Sequence, residues 1–244
     1  MEEFFKYLGK KTGQTLRRGK WIYKSVLGSQ EEAIDAEYFV GKEIAKTITG
    51  LYQIDTDEKV KALLETTGAR LRDKVKNAYR KFSFNSIISD DVNAFALPGG
   101  FIYATSSILK LTNYKEDEIA FVLGHEMGHV VRWHIFNRTI ANSSLNMLAM
   151  VSKPGGLVGS LAVRTINSLL QKGYSRDQEF EADSFGTILM YAAGYNPDAA
   201  IVLLEKLERC NTSGSTGFNY FSTHPVIKDR IKKINYIIEN KLKY

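Results

Sequence analysis

Two histidines four residues apart, His125 and His129, with Glu126 between them, constrain this chain more than any other feature. Four residues is about one helical turn, so both imidazoles lie on one helix face and can grip one metal ion together. A helix used this way must be held rigidly, and the surrounding sequence provides for that. Glu116, Asp117 and Glu118 place negative charge in a first turn, where the helix dipole favours it. Ile119, Val122, Leu123, Met127 and Val130 recur at steps of three and four, a stripe that reads as core packing. The predicted helix spans about residues 116 to 137.

The pattern H-E-x-x-H is that of zinc peptidases, in which the glutamate reaches the water on the metal. A hydrolytic zinc site takes three protein ligands and keeps one position open, so a third ligand is expected downstream. The chain has four histidines; besides the pair these are His134 and His224. His134 follows His129 by five positions, which turns its ring off the shared face. Glu179 is the better candidate. Glu179 and Asp183 are four apart and share a helix face, while Glu181 points away from it. One carboxylate is expected to bind the metal and the other to accept a hydrogen bond from a ligand imidazole, fixing its tautomer. Taken alone, such a pair would be solvated surface charge.

Upstream, Phe82 to Ile88 alternates apolar and polar residues and reads as a strand. Asn93 to Thr105 reads as two further strands around Pro98-Gly99-Gly100. A small sheet beside a metal helix offers an edge to which an extended peptide can add through main-chain hydrogen bonds. Two amphipathic helices are predicted before it, over about 31 to 53 and 57 to 79, with Asp55 or Thr56 capping the second. A short helix is expected over 106 to 111 and the glutamate-bearing helix over about 174 to 193, ending at Gly194. Asn196-Pro197 opens another helix, Asn211 to Gly217 forms a polar loop, and Val226, Ile227, Ile231, Ile234 and Ile238 mark a last one. Residues 140 to 172 read as two apolar helical pieces broken at Pro154-Gly155-Gly156, by preference two core helices, otherwise a mobile apolar lid or a surface that meets a membrane.

Four signatures in order, Asn93 to Gly100, Leu123 to Val130, Glu179 to Asp183 and Ser222-Thr223-His224-Pro225, resemble one family of zinc metallopeptidases. It is the family of the CAAX prenyl endopeptidase, the Oma-type mitochondrial protease and the bacterial envelope proteases of the Bep and Loi type. The resemblance covers roughly residues 31 to 241. It implies an α+β, mainly helical, zincin-like fold with a small sheet and an edge strand beside the motif helix. It implies one zinc ion held by His125, His129 and Glu179, with Glu126 as the catalytic residue and Asp183 behind a ligand. By the same resemblance His224 lies near the metal, stabilising the oxyanion or filling the open position in a latent form. An extended or misfolded polypeptide substrate is expected along Asn93, Ala94, Phe95 and Ala96. Prenyl-protein processing is not expected, because that work is associated with a multi-span membrane chamber.

The organisation expected is a basic extension over residues 1 to 30 and a single domain over 31 to 244. The net charge of +6 is partly concentrated in that extension, where Lys6, Lys10, Lys11, Arg17 and Arg18 mix with Phe4, Phe5 and Trp21. That mixture suits peripheral contact with an anionic membrane surface. No basic-aromatic module points to nucleic acid. The single Cys210 excludes an intrachain disulfide and a cysteine-rich zinc site. No apolar run reaches membrane-spanning length, and the start has charge without the apolar core of a secretory signal. Two locations stay open: the cytoplasm, or, as the resemblance favours, the bacterial envelope or periplasm as a mature form. Two other functions also stay open. One is a latent, chaperone-like protein that binds unfolded clients; the other is a closed structural zinc domain, in which Glu126 would have no use. Oligomeric state is not legible.

Overall fold

The computed structural model of the chain describes residues 29–142, 166, 173–212, 224 and 227–242. The expected basic extension, most of the 140 to 172 segment and most of the polar loop after Asn211 lie outside them.

Helix α1 (Gln30–Leu51) starts in a capping box, with Ser29 and Glu32 each satisfying the other's backbone N–H. Strand β1 (Gln53–Ile54) follows, where the sequence suggested only a helix end; it pairs antiparallel with β2. Helix α2 (Glu58–Arg72) is capped by Asp57, whose carboxylate accepts from the Lys59 and Val60 N–H groups. Asp55 serves one step earlier, accepting from the Asp57 N–H. The helix ends short of the expected residue 79. Lys74 and Val75 tighten the last turn with bonds back three residues, and Asn77 accepts from the Tyr79 N–H in a side-chain turn. That turn sends Arg80 inward.

The sheet has the order β1-β2-β4-β3. Strands β2 (Ser83–Ile88) and β4 (Phe101–Thr105) run parallel, so β4 lies between β2 and β3 (Ala94–Leu97). β3 and β4 form the expected hairpin, with Phe95 opposite Tyr103, and β3 is left on the edge. Gly99 and Gly100 turn it with φ of 79° and 90°, values that a side chain would disfavour. The base of the hairpin is pinned where the Thr105 hydroxyl donates to the Asn93 carbonyl and accepts from its N–H. The same hydroxyl caps helix α3 (Ser106–Leu111).

Helix α4 (Glu116–Val131) carries the histidine pair and is buried along nearly its whole length. Its first-turn acids do more than complement the dipole: Glu118 is buried and takes the Lys206 ammonium on both oxygens at 2.8 Å. The expected continuation to residue 137 is broken. Trp133 has φ of +62°, a left-handed conformation rare for a bulky residue, and α5 (His134–Asn142) starts afresh after it. The Arg80 guanidinium lies 4.3 Å over the Trp133 ring.

Helix α6 (Arg176–Ala192) packs along α4. A Cβ on Gly186 would come within 2.8 Å of the His125 backbone nitrogen, so here the two helices meet backbone to backbone. The Ser175 cap and its reciprocal partner Gln178 begin α6, and Gly194 follows its end with φ of 82°. Helices α7 (Asp198–Thr212) and α8 (Ile227–Ile237) close the bundle around Leu203, Leu204, Leu207, Ile234 and Ile237. A π-helical turn, Ile238–Leu242, continues α8. Among the described residues no helix is long and apolar enough to cross a membrane.

Candidate metal centre and active site

The α4–α6 crossing brings the predicted side chains together. His125 and His129 turn their Nε2 atoms toward each other, 3.1 Å apart. Glu179, one turn into α6, reaches both: Oε1 is 3.4 Å from His129 Nε2 and Oε2 is 3.7 Å from His125 Nε2. His224 Nδ1 lies 3.0 Å from Glu179 Oε1 and 3.3 Å from His125 Nε2. One ligating atom from each of His125, His129, Glu179 and His224 falls within 4.8 Å of the others.

The chemistry of this set fits a cation. Two neutral imidazoles facing each other through Nε2 while their Nδ1 atoms serve other partners present lone pair to lone pair, and the carboxylate adds more acceptors. Protons alone satisfy such a cluster poorly; a shared divalent ion satisfies it well. Burial holds His125 and His129 below the usual histidine range, against the pull of Asp183 and Glu179, so both favour the neutral form that a metal needs.

Asp183 takes the place expected of it, accepting from His125 Nδ1 at 2.9 Å. It is itself gripped by a residue the sequence reading missed. Arg230 on α8 donates to Asp183 through Nε and Nη2 at 2.8 and 2.7 Å, and its Nη1 lies 3.0 Å from Glu179 Oε2. Burial pushes both carboxyls up, but His224 and Arg230 around Glu179, and Arg230 and His125 around Asp183, outweigh it. Both are held below the usual carboxylate range, Glu179 well below. A signal for Arg230 existed: it interrupts the apolar stripe of the last helix, between Ile227 and Ile234. A charge on a buried face requires a partner.

Glu126 is oriented from the sheet. Burial, with the nearby Glu179 charge, lifts its carboxyl to about 7, against the lowering effect of His224 and of the Ala96 N–H that bonds it. His224 Nε2 is 3.6 Å from its Oε1. A carboxyl poised near neutral pH is suited to taking up and returning a proton. Burial alone would lower His224, but Glu179 and Glu126 raise it above the ordinary histidine range.

The four strand residues divide. Ala96 meets Glu126 through its backbone, and Ala94 lines a small cavity with Phe121, Val122, His125, Glu126 and Leu203. Phe95 instead stacks on Tyr103, with ring centroids 5.3 Å apart. Asn93 folds its side chain back onto the Ala94 N–H. His134 is outside the four-residue cluster, yet the break at Trp133 swings its Nδ1 to 3.0 Å from His129 Nδ1. Glu181, pointing away from the cluster as expected, meets His134 Nε2 at 3.3 Å. Tyr174 stacks on the His129 ring at 3.7 Å between centroids, with the Arg138 guanidinium 3.6 Å from its own ring.

Comparison with known proteins agrees with this geometry. The family described as Peptidase family M48 matches residues 58–238, well over half of the chain. The chain is 36% identical over 157 residues to the mitochondrial metalloendopeptidase OMA1 of Schizosaccharomyces pombe, covering 63% of this chain and 46% of that protein. It is 29% identical over 157 residues to the metalloprotease LoiP of Escherichia coli K12, covering 62% and 61%. It is 27% identical over 209 residues to a putative beta-barrel assembly-enhancing protease of Vibrio cholerae, covering 81% and 43%. The chain thus spans less than two thirds of the length of each of these relatives. On the family match and the site that accompanies it, the chain belongs to peptidase family M48.

Proposed function

We propose that this chain is a zinc-dependent metalloendopeptidase that hydrolyses peptide bonds of extended or misfolded polypeptides. The observation that carries the reading is the convergence of His125, His129 and Glu179 from two helices, with the buried Glu126 carboxyl beside them. Zinc held by those three residues would acidify a water and polarise the scissile carbonyl. Glu126 accepts a proton from the attacking water and returns it to the leaving nitrogen. Asp183, held by Arg230, keeps His125 in the tautomer that leaves Nε2 free for the metal. The outer side of β3, buried here with its Ala94 and Ala96 N–H groups bonded to Asn93 and Glu126, would receive the substrate as an added strand once uncovered.

A second reading is favoured by His224. His224 and Glu126 are only 1% and 2% exposed, and His224 Nδ1 sits among the ligand atoms. We read this conformation as latent: His224 fills the position that water and substrate need, and the site opens before it cuts. In the open form His224 is placed to stabilise the oxyanion.

The test combines zinc analysis with a casein digestion time course, with and without a zinc chelator, for wild type and Glu126→Gln. The expected result is one zinc per chain in both proteins, chelator-sensitive digestion by wild type, and a loss of about a thousandfold in the variant. Full activity in zinc-loaded Glu126→Gln overturns the role of Glu126. Zinc uptake with casein bound but uncut by wild type points to the chaperone-like alternative.

A further inference from the structure

The two histidines of the motif are backed differently. His125 leans on a buried carboxylate, Asp183, as ligand imidazoles commonly do. Behind His129 the Nδ1 faces instead another imidazole, His134, at 3.0 Å. The hydrogen-bond logic of that pair is restrictive. His129 directs Nε2 into the cluster, and a nitrogen that gives its lone pair to a cation carries no proton. The single proton of neutral His129 therefore sits on Nδ1 and is donated to His134. His134 must accept through Nδ1, which leaves its own proton on Nε2, the atom that faces Glu181 Oε2 at 3.3 Å. Every link then has one donor and one acceptor, running from Glu181 at the surface to the inner ligand.

The backbone is bent to make this contact. A continued helix would carry His134 off the face shared by His125 and His129. The left-handed turn at Trp133 redirects it, and the Arg80 guanidinium packs over that tryptophan. A bulky residue held at positive φ is costly and must be kept there by its surroundings; its effect here is to bring His134 against His129.

We propose that His134 is a positioning residue for the metal ligand His129: fixed in the Nε2–H tautomer by Glu181, it fixes His129 in turn and so sets the zinc affinity of the site. The inference rests on the metallopeptidase reading above and adds to it a His–His–carboxylate support behind one ligand.

The test is zinc affinity, measured on the full chain by competition with a chromophoric chelator. His134→Phe keeps the ring volume and removes the acceptor; zinc binding should weaken by about 10- to 100-fold. His134→Asn places Oδ1 where Nδ1 stood and should recover most of that loss. Glu181→Ala, at a side chain 54% exposed and so harmless to folding, should weaken binding to a lesser degree. Nitrogen-15 NMR of the zinc-loaded wild type should show the His134 proton on Nε2. A folded His134→Phe variant with wild-type affinity, or a His134 proton on Nδ1, overturns the inference while leaving the metallopeptidase reading intact. So does an Asn variant as weak as the Phe variant. If His134→Phe fails to fold, unchanged affinity in Glu181→Ala overturns it. A wild type that takes up no zinc overturns both readings together.

Discussion

Two buried arginines do opposite jobs in this molecule. Arg80 bonds Glu37 of α1, and Glu37 in turn accepts from the Gly99 N–H in the hairpin turn at 3.1 Å. Arg230 bonds Asp183 and Glu179 beside the histidines. Both side chains are nearly or wholly out of water. Yet burial raises the Glu37 carboxyl despite Arg80 and Gly99, whereas Glu179 and Asp183 are held low. At Glu37 the Arg80 guanidinium and the Gly99 N–H both donate, tying α1 to the hairpin. At Glu179 the His224 and Arg230 charges keep the carboxylate ionised, and its oxygens also face the Nε2 atoms of His129 and His125. One arginine ties two elements of the scaffold together; the other holds two carboxylates ionised beside the histidine pair.

The sharpest way to break this comparison is Arg230→Met in the metal-free protein. Removing one partner of a buried ionic group costs about 3–5 kcal/mol, read by urea unfolding. Glu179 and Asp183 are depressed in the folded state, so their contribution is present above the ordinary carboxylate range of about 4 and lost as pH falls through the folded values. Without Arg230 the acid unfolding midpoint should move to higher pH. An unchanged acid limb would mean that Arg230 does not hold these carboxylates.

Arg80→Met should cost a comparable or slightly smaller amount, about 3 kcal/mol, but leave zinc stoichiometry at the wild-type level. Loss of metal in that variant would erase the distinction between scaffold and site. The smallest effect should come from Ser175→Ala, which removes the cap of α6 and costs about 1 kcal/mol in thermal unfolding, with zinc still bound. A loss several times larger would show that α6 depends on its first turn more than on packing against α4.

Much of the site was legible because its parts obey helix periodicity. His125 with His129, and Glu179 with Asp183, are each one turn apart, and the structure puts each pair on one face. The hairpin was legible from Pro98-Gly99-Gly100. What escaped depends on contacts between elements far apart in sequence. The parallel pairing of β2 with β4 has no local turn to announce it. Arg80 and Glu37 are 43 residues apart, and nothing near either names the other. His134 stays outside the four-residue cluster, as its spacing suggested, but its contact with His129 escaped because no proline or glycine announces the break at Trp133, where Arg80 packs. Arg230 is the instructive case, since a charge within an apolar stripe should have prompted a search for its buried partner.

Where Gly124 meets Gly186, only main chain separates the helix that bears the imidazoles from the one that bears the carboxylate. Their spacing is therefore gauged by peptide thickness, which no rotamer can adjust. The grip on a cation is calibrated by two residues that have no side chain to offer it.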